Sequence, residues 1–83
     1  MKFQLTLNMA SREGRAVHQI TVDYPVESLK EFADVLQTHD FVFFANEFYH
    51  EGGRAAGNAA ELRANGGIIV NTAIIGKVKV YVQ

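Results

Sequence analysis

The chain has no cysteine and only one proline among its 83 residues. Without cysteine there is no disulfide framework, no thiolate metal site and no thiol nucleophile. The absence also fits a reducing compartment, so a cytoplasmic location is the expectation. An excess of one charge is lacking as well. Eight Lys and Arg stand against nine Asp and Glu, for a formal net charge of −1. Domains whose main task is to hold a phosphate backbone usually show a basic excess, so nucleic acid is not the favoured partner. Nowhere do eighteen apolar residues follow one another, and no stretch predicts a membrane-spanning helix. The start, MKFQLTLNMASREGR, alternates where an export signal would be continuously apolar.

What is present fits a single domain over residues 1–83. A chain this short buries only roughly 60% of its extended surface, which leaves a thin stability margin. Phe3, Leu5, Leu7 and Met9 alternate with Lys2, Gln4, Thr6 and Asn8, the period-two mark of a half-buried strand. A second alternating run, Ala16 to Tyr24, follows the turn-like ASREGR. Together they predict a hairpin, which Pro25 ends because it has no N–H for a ladder.

SLKE at Ser28 to Glu31 has the form of a capping box, in which Ser and Glu side chains satisfy each other's backbone donors. Leu29, Phe32, Ala33 and Leu36 follow at helical spacing, so a helix over about 28–38 is expected to pack on the hairpin, with His39 and Asp40 closing it. Phe41 to Tyr49 reads as a third strand, apolar on both faces and therefore central or covered on its second face by another element. Residues 51–66 read as a mobile loop or short helix, Asn65-Gly66-Gly67 resembling a helix stop. GGIIVNTAIIGKVKVYVQ gives two more strands, about 67–71 and 75–82, hinged at Asn71-Thr72. The fold class expected is α+β: an antiparallel sheet of about five strands in ββαβββ order with one helix on one face.

Chemistry is harder to find. Glu47, His50 and Glu51 are near in sequence, but a strand points Glu47 and His50 to opposite faces, and no closed metal-ligand spacing such as HxxxH exists. His18 falls near the hairpin turn, as a rim residue. Ser11 has no evident base and Ser28 is a cap, so no acid/base or triad constellation forms. EGGRAAGN has glycines, but Asn58 and Ala59 stand where a phosphate-binding loop needs Lys and Ser or Thr. FVFF resembles part of the aromatic strand of RNA-recognition motifs at Phe41, Val42 and Phe44. Gln37, Thr38, His39 and Asp40 do not fit the basic and glycine positions that precede it there, and ββαβββ differs from that family's βαββαβ order.

No enzyme, no metal and no cofactor are therefore expected. The expected function is a small non-catalytic protein-interaction module, an adaptor or stoichiometric inhibitor of the kind found in phages and mobile elements. It would act as a homodimer or on another protein, through the outer sheet face or a strand edge. Aromatics and arginines dominate such interfaces, which selects Phe41, Phe43, Tyr49, Tyr81, Arg54 and Arg63. The alternative is a single-stranded nucleic-acid binder in which Phe43 and Tyr81 stack on bases and Lys77 and Lys79 meet phosphates.

Overall fold

The computed structural model describes residues 1–11, 14–50 and 62–82. The alternating N-terminal runs form the predicted hairpin. Strand β1 (Lys2–Ser11) pairs antiparallel with β2 (Gly14–Asp23), from Lys2↔Asp23 to Ser11↔Gly14. Residues directly opposite in such a pair share a face. Phe3, Leu5 and Leu7 therefore lie beside Val22, Ile20 and His18 on the inner face, with Gln4 and Thr6 beside Thr21 and Gln19 on the outer one. The inner apolar residues are buried, while His18 lies beyond the covered region and is exposed.

Helix α1 (Leu29–Thr38) begins where its cap predicts, the Glu31 N–H donating to Ser28 Oγ at 3.1 Å. The Glu31 carboxylate accepts, at a long 3.5 Å, from the N–H of Glu27, one residue earlier than a reciprocal capping box requires. At the other end the Thr38 hydroxyl donates to the Asp34 carbonyl at 2.9 Å, and His39 Nδ1 lies 2.9 Å from the Val35 carbonyl. These contacts serve carbonyls that a helix terminus leaves without a partner. The apolar stripe is rotated from the expected one. Phe32 is fully buried, Ala33, Val35 and Leu36 are half-buried, and Leu29 faces outward.

The aromatic stretch is not one central strand. It breaks at Ala45-Asn46 into β3 (Phe41–Phe44) and β4 (Glu47–His50), which belong to different sheets. Beyond residues 51–61, which lie outside the described residues, come β5 (Leu62–Ala64), β6 (Ile68–Asn71), a 3₁₀ turn (Thr72–Ile74) and β7 (Ile75–Val80). Among the described residues the order is thus ββαβββββ. A five-stranded antiparallel sheet runs β5-β4-β2-β1-β7, and β3 and β6 form a separate ribbon. The architecture is α+β, with one helix packed on one face of the antiparallel sheet. The sheet centre is β2 and β1, not the aromatic strand.

The ribbon and the sheet edge are parts of one long hairpin. Pairing runs from Phe41↔Asn71 to Phe44↔Ile68 and resumes from Phe48↔Ala64 to His50↔Leu62. Each step forward on one arm is a step back on the other, with no slip across the break. Between the two ladders the Glu47 N–H donates to the Gly66 carbonyl at 2.8 Å, and the Asn65 N–H to the Glu47 carbonyl at 2.6 Å. Gly66 adopts φ 84°, a left-handed conformation that side-chain-bearing residues resist. Asn65-Gly66-Gly67 is therefore the bend of a strand pair, where a helix stop was expected.

The bend carries the hairpin from one layer to the other. The ribbon lies over the sheet's inner face beside α1, and Val42, Phe44 and Val70 join Phe3, Leu5, Leu7, Ile20, Val22 and Phe32 in one core. Phe32 stacks on Phe3 at 4.2 Å between ring centroids and meets Phe44 edge-on at 6.0 Å. One helix alone would leave part of that sheet face open, and the ribbon closes it. The Thr72 hydroxyl and N–H donate to the carbonyls of His39 (2.7 Å) and Asp40 (2.9 Å), tying the end of β6 to the end of the helix.

Candidate functional site

Crossing between layers has a geometric effect on side chains. In the ribbon, Val42 and Phe44 point at the core. Further along the same side of the strand, Phe48 lies opposite Thr21 and so on the outer face of the sheet. The side that faces the core in one layer faces away from it in the other. The layer change thus accounts for Phe48, which shares a strand side with the buried Val42 and Phe44, standing on the outer face of the sheet.

It does not explain Phe41 and Phe43. They point outward from the ribbon, 60% and 61% exposed, and Ile69, directly opposite Phe43, is 68% exposed. Three large apolar side chains thus share one surface outside the core. Phe43 also closes over the bend. A Cβ on Gly67 would lie 3.0 Å from Phe43 Cε1 and 3.1 Å from the Phe44 carbonyl oxygen, so glycine gives the ring its place. The ribbon sequences, FVFF and IIVN, carry no charge.

Sheet edge β7 is built differently. Its pairing with β1 shifts register between Thr6 and Leu7, leaving Gly76 as a bulged residue between Ile75 and Lys77. Lys77 and Lys79 are exposed on its outer side. A bulge and outward lysines are devices that deter strand addition at an edge. The ribbon has neither.

The expected site residues consequently separate. Phe41 and Phe43 lie on the ribbon. Lys77 and Lys79 stand opposite Thr6 and Gln4 on the outer face of the main sheet, and the half-buried Tyr81 follows, its N–H donating to the Lys2 carbonyl at 2.9 Å. The combination of Phe43 stacking with Lys77 and Lys79 is therefore corrected: the ribbon's outward face and the sheet's outer face look away from the shared core in opposite directions. Tyr49 and Arg63 are register partners in β4–β5, and Arg54 lies outside the described residues. Ile69 was missed because a uniformly apolar run gives no period to show which isoleucine turns out. Lys2 and Phe48 were missed as well. Lys2 reaches across β2 to place Nζ 5.0 Å from the Phe48 ring centroid, and Thr21 beside them is buried although it lies on the outer face.

Other features offer less. Met9 and Val17 are exposed near the end of the first hairpin, but they occupy opposite faces and form no patch. A cleft of about 390 Å³ is lined by Met1, Asp23, Tyr24, Pro25, Ala45 and Asn46; its one carboxylate, Asp23, lies 3.6 Å from the amino group of Met1. Among the described residues no group of three His, Asp or Glu is placed to hold a metal ion, and no helix is long and apolar enough to cross a membrane. Comparison with protein-family models, curated proteins and solved structures finds no significant match.

Proposed function

We propose that this chain is a non-catalytic interaction module, an adaptor or stoichiometric inhibitor, that docks on another protein through the outward face of the β3–β6 ribbon. One observation carries this reading: Phe41, Phe43 and Ile69 form a contiguous apolar surface that the fold itself does not require. Patches of this kind on small proteins are often functional, and aromatics anchored in a partner's pocket supply most of the energy of such contacts.

The size of the patch bears on the partner. At about 200 Å² for a whole phenylalanine side chain, the three residues offer roughly 350 Å² of exposed surface. A stable interface buries about 800 Å² on each side. Two copies meeting face to face on these residues alone would fall well short. The reading therefore favours a larger protein with an apolar groove that receives the ribbon, and self-association is the less favoured arrangement. Asp40, next to Phe41 in the chain, is exposed, so a groove with a basic flank fits best.

A photo-crosslinking residue in place of Phe43, in cells that make the protein, tests this. A discrete crosslinked protein should form from that position and from Ile69, and not from Gln4 on the opposite layer. Retention of that protein should fall at least tenfold for Phe43→Ala. Equal crosslinking from Gln4, or full retention by Phe43→Ala, would remove the ribbon as the docking site.

A further inference from the structure

We propose that the outer face of the five-stranded sheet is a second binding surface, and that its ligand is a single strand of nucleic acid. The net charge of −1 conceals a segregation. Of the lysines whose side chains are described, Lys2, Lys77 and Lys79 stand on this face and only Lys30 lies on the helix. The acids Glu27, Glu31, Asp34 and Asp40 are exposed on the helix side of the molecule. Among the described residues neither Lys77 nor Lys79 makes an ion pair, and the one carboxylate on the face, Asp23, is beside the Met1 amino group.

The arrangement selects among anions. Lys77 and Lys79 are two residues apart on one strand, about 6.7 Å along it, with Lys2 on the neighbouring strand directly across from Tyr81. Lys77 and Lys79 thus make a short row of point charges on the sheet face, and the Lys2 ammonium is a third, across β2. Bidentate recognition of carboxylates selects arginine, whereas lysine serves phosphate as a point charge. Across the face from Lys77 and Lys79 come Gln4 and Thr6 on β1 and then Gln19 on β2, side chains that both donate and accept hydrogen bonds. Phe48 adds a ring at the far side of the face, held near Lys2. A sheet face with Lys77 and Lys79 on one flank and Lys2 beside an aromatic on the other suits unpaired bases over the strands and phosphates at the lysines. Among the described residues no helix stands on this face to enter a duplex groove.

This surface does not depend on the ribbon reading. The test uses the full chain and a fluorescein-labelled oligothymidylate of about 15 nucleotides, followed by anisotropy. With three lysines at phosphates, log affinity should fall against log salt with a slope of about −2, or roughly tenfold between about 50 and 150 mM. Lys77→Gln with Lys79→Gln should cut the slope to about −0.7, and Phe48→Ala should weaken binding at least about fivefold. Phe43→Ala should leave binding unchanged. The proposal is overturned by absence of saturable binding at low salt. It is also overturned if the paired lysine variant binds as well as the parent, which would leave Lys77 and Lys79 as edge guards alone. Displacement of the oligonucleotide by polyglutamate at equal charge concentration would assign the face to an acidic protein instead.

Discussion

The β3–β6 ribbon and the main sheet, two layers around one core, can be compared. In the ribbon, β3–β6, the side turned to the core holds Val42, Phe44 and Val70, and the side turned away holds Phe41, Phe43 and Ile69. In the sheet, β1 and β2 are apolar toward the core and carry Gln4, Thr6 and Gln19 away from it. Both surfaces turn away from the same core, yet only the sheet follows the usual rule of polar residues outward. Folding needs one apolar side per layer. The ribbon has two, and its second is where a partner is expected.

That contrast can be broken by substitution. The largest effect belongs to Phe44→Ala. It removes a fully buried ring that packs against Phe32 and Tyr24, and about 3–5 kcal/mol of stability should go with it. For a domain this small that approaches the whole margin, so urea denaturation should show a largely unfolded variant. The milder Phe44→Leu keeps the measurement possible if it does. Gly66→Ala comes next. Forcing a side chain to φ 84° should cost about 1–2 kcal/mol and lower the urea midpoint without changing its slope. Ser28→Ala removes the helix cap seen at 3.1 Å and should cost about 1 kcal/mol. Its effect should be the same whether or not the ribbon is altered, since additive changes are expected of sites with no shared contact.

Phe43→Ala should have the smallest effect on stability, within about 0.5 kcal/mol of the parent, although it sits next to Phe44 in sequence. A loss as large as that of Phe44→Ala would mean that the ribbon's outward side is an interior surface of the folded protein, and the docking reading would fall. A midpoint for the parent that rises with protein concentration would show self-association. Its disappearance in Phe43→Ala would place the contact on the ribbon.

Much of the fold could be read from local pattern. Strict alternation marked β1 and β2, Ser28 with Glu31 marked the start of the helix, and Asn71-Thr72 marked the hinge, now seen as Asn71 Oδ1 accepting from the Ala73 N–H at 2.9 Å. The split of the aromatic stretch could not be read in this way. Ala45-Asn46 carries neither glycine nor proline; the signal sat on the opposite arm, in Gly66-Gly67, and only pairing brings the two together. The same non-local fact misplaced Phe41 and Phe43 on the main sheet. Of the candidate surfaces, the exposed phenylalanines and Lys77 and Lys79 were visible as residues. Their division between two sides of the molecule was not, because it depends on a strand changing layers. Leu29 erred for a simpler reason: helical spacing gives a stripe, but the position of Phe32 against Phe3 decides its angle.

The unbroken register of the bent hairpin also limits how its length can change. Adding or deleting one residue in either arm would act as a parity error. Everything beyond the change would turn over, sending Phe44 out of the core or Phe43 into it. Compensated changes, one in each arm at matching positions, would preserve the pattern but move the bend away from Gly66. Lineages of this protein should therefore hold constant length from Phe41 to His50 and from Leu62 to Asn71.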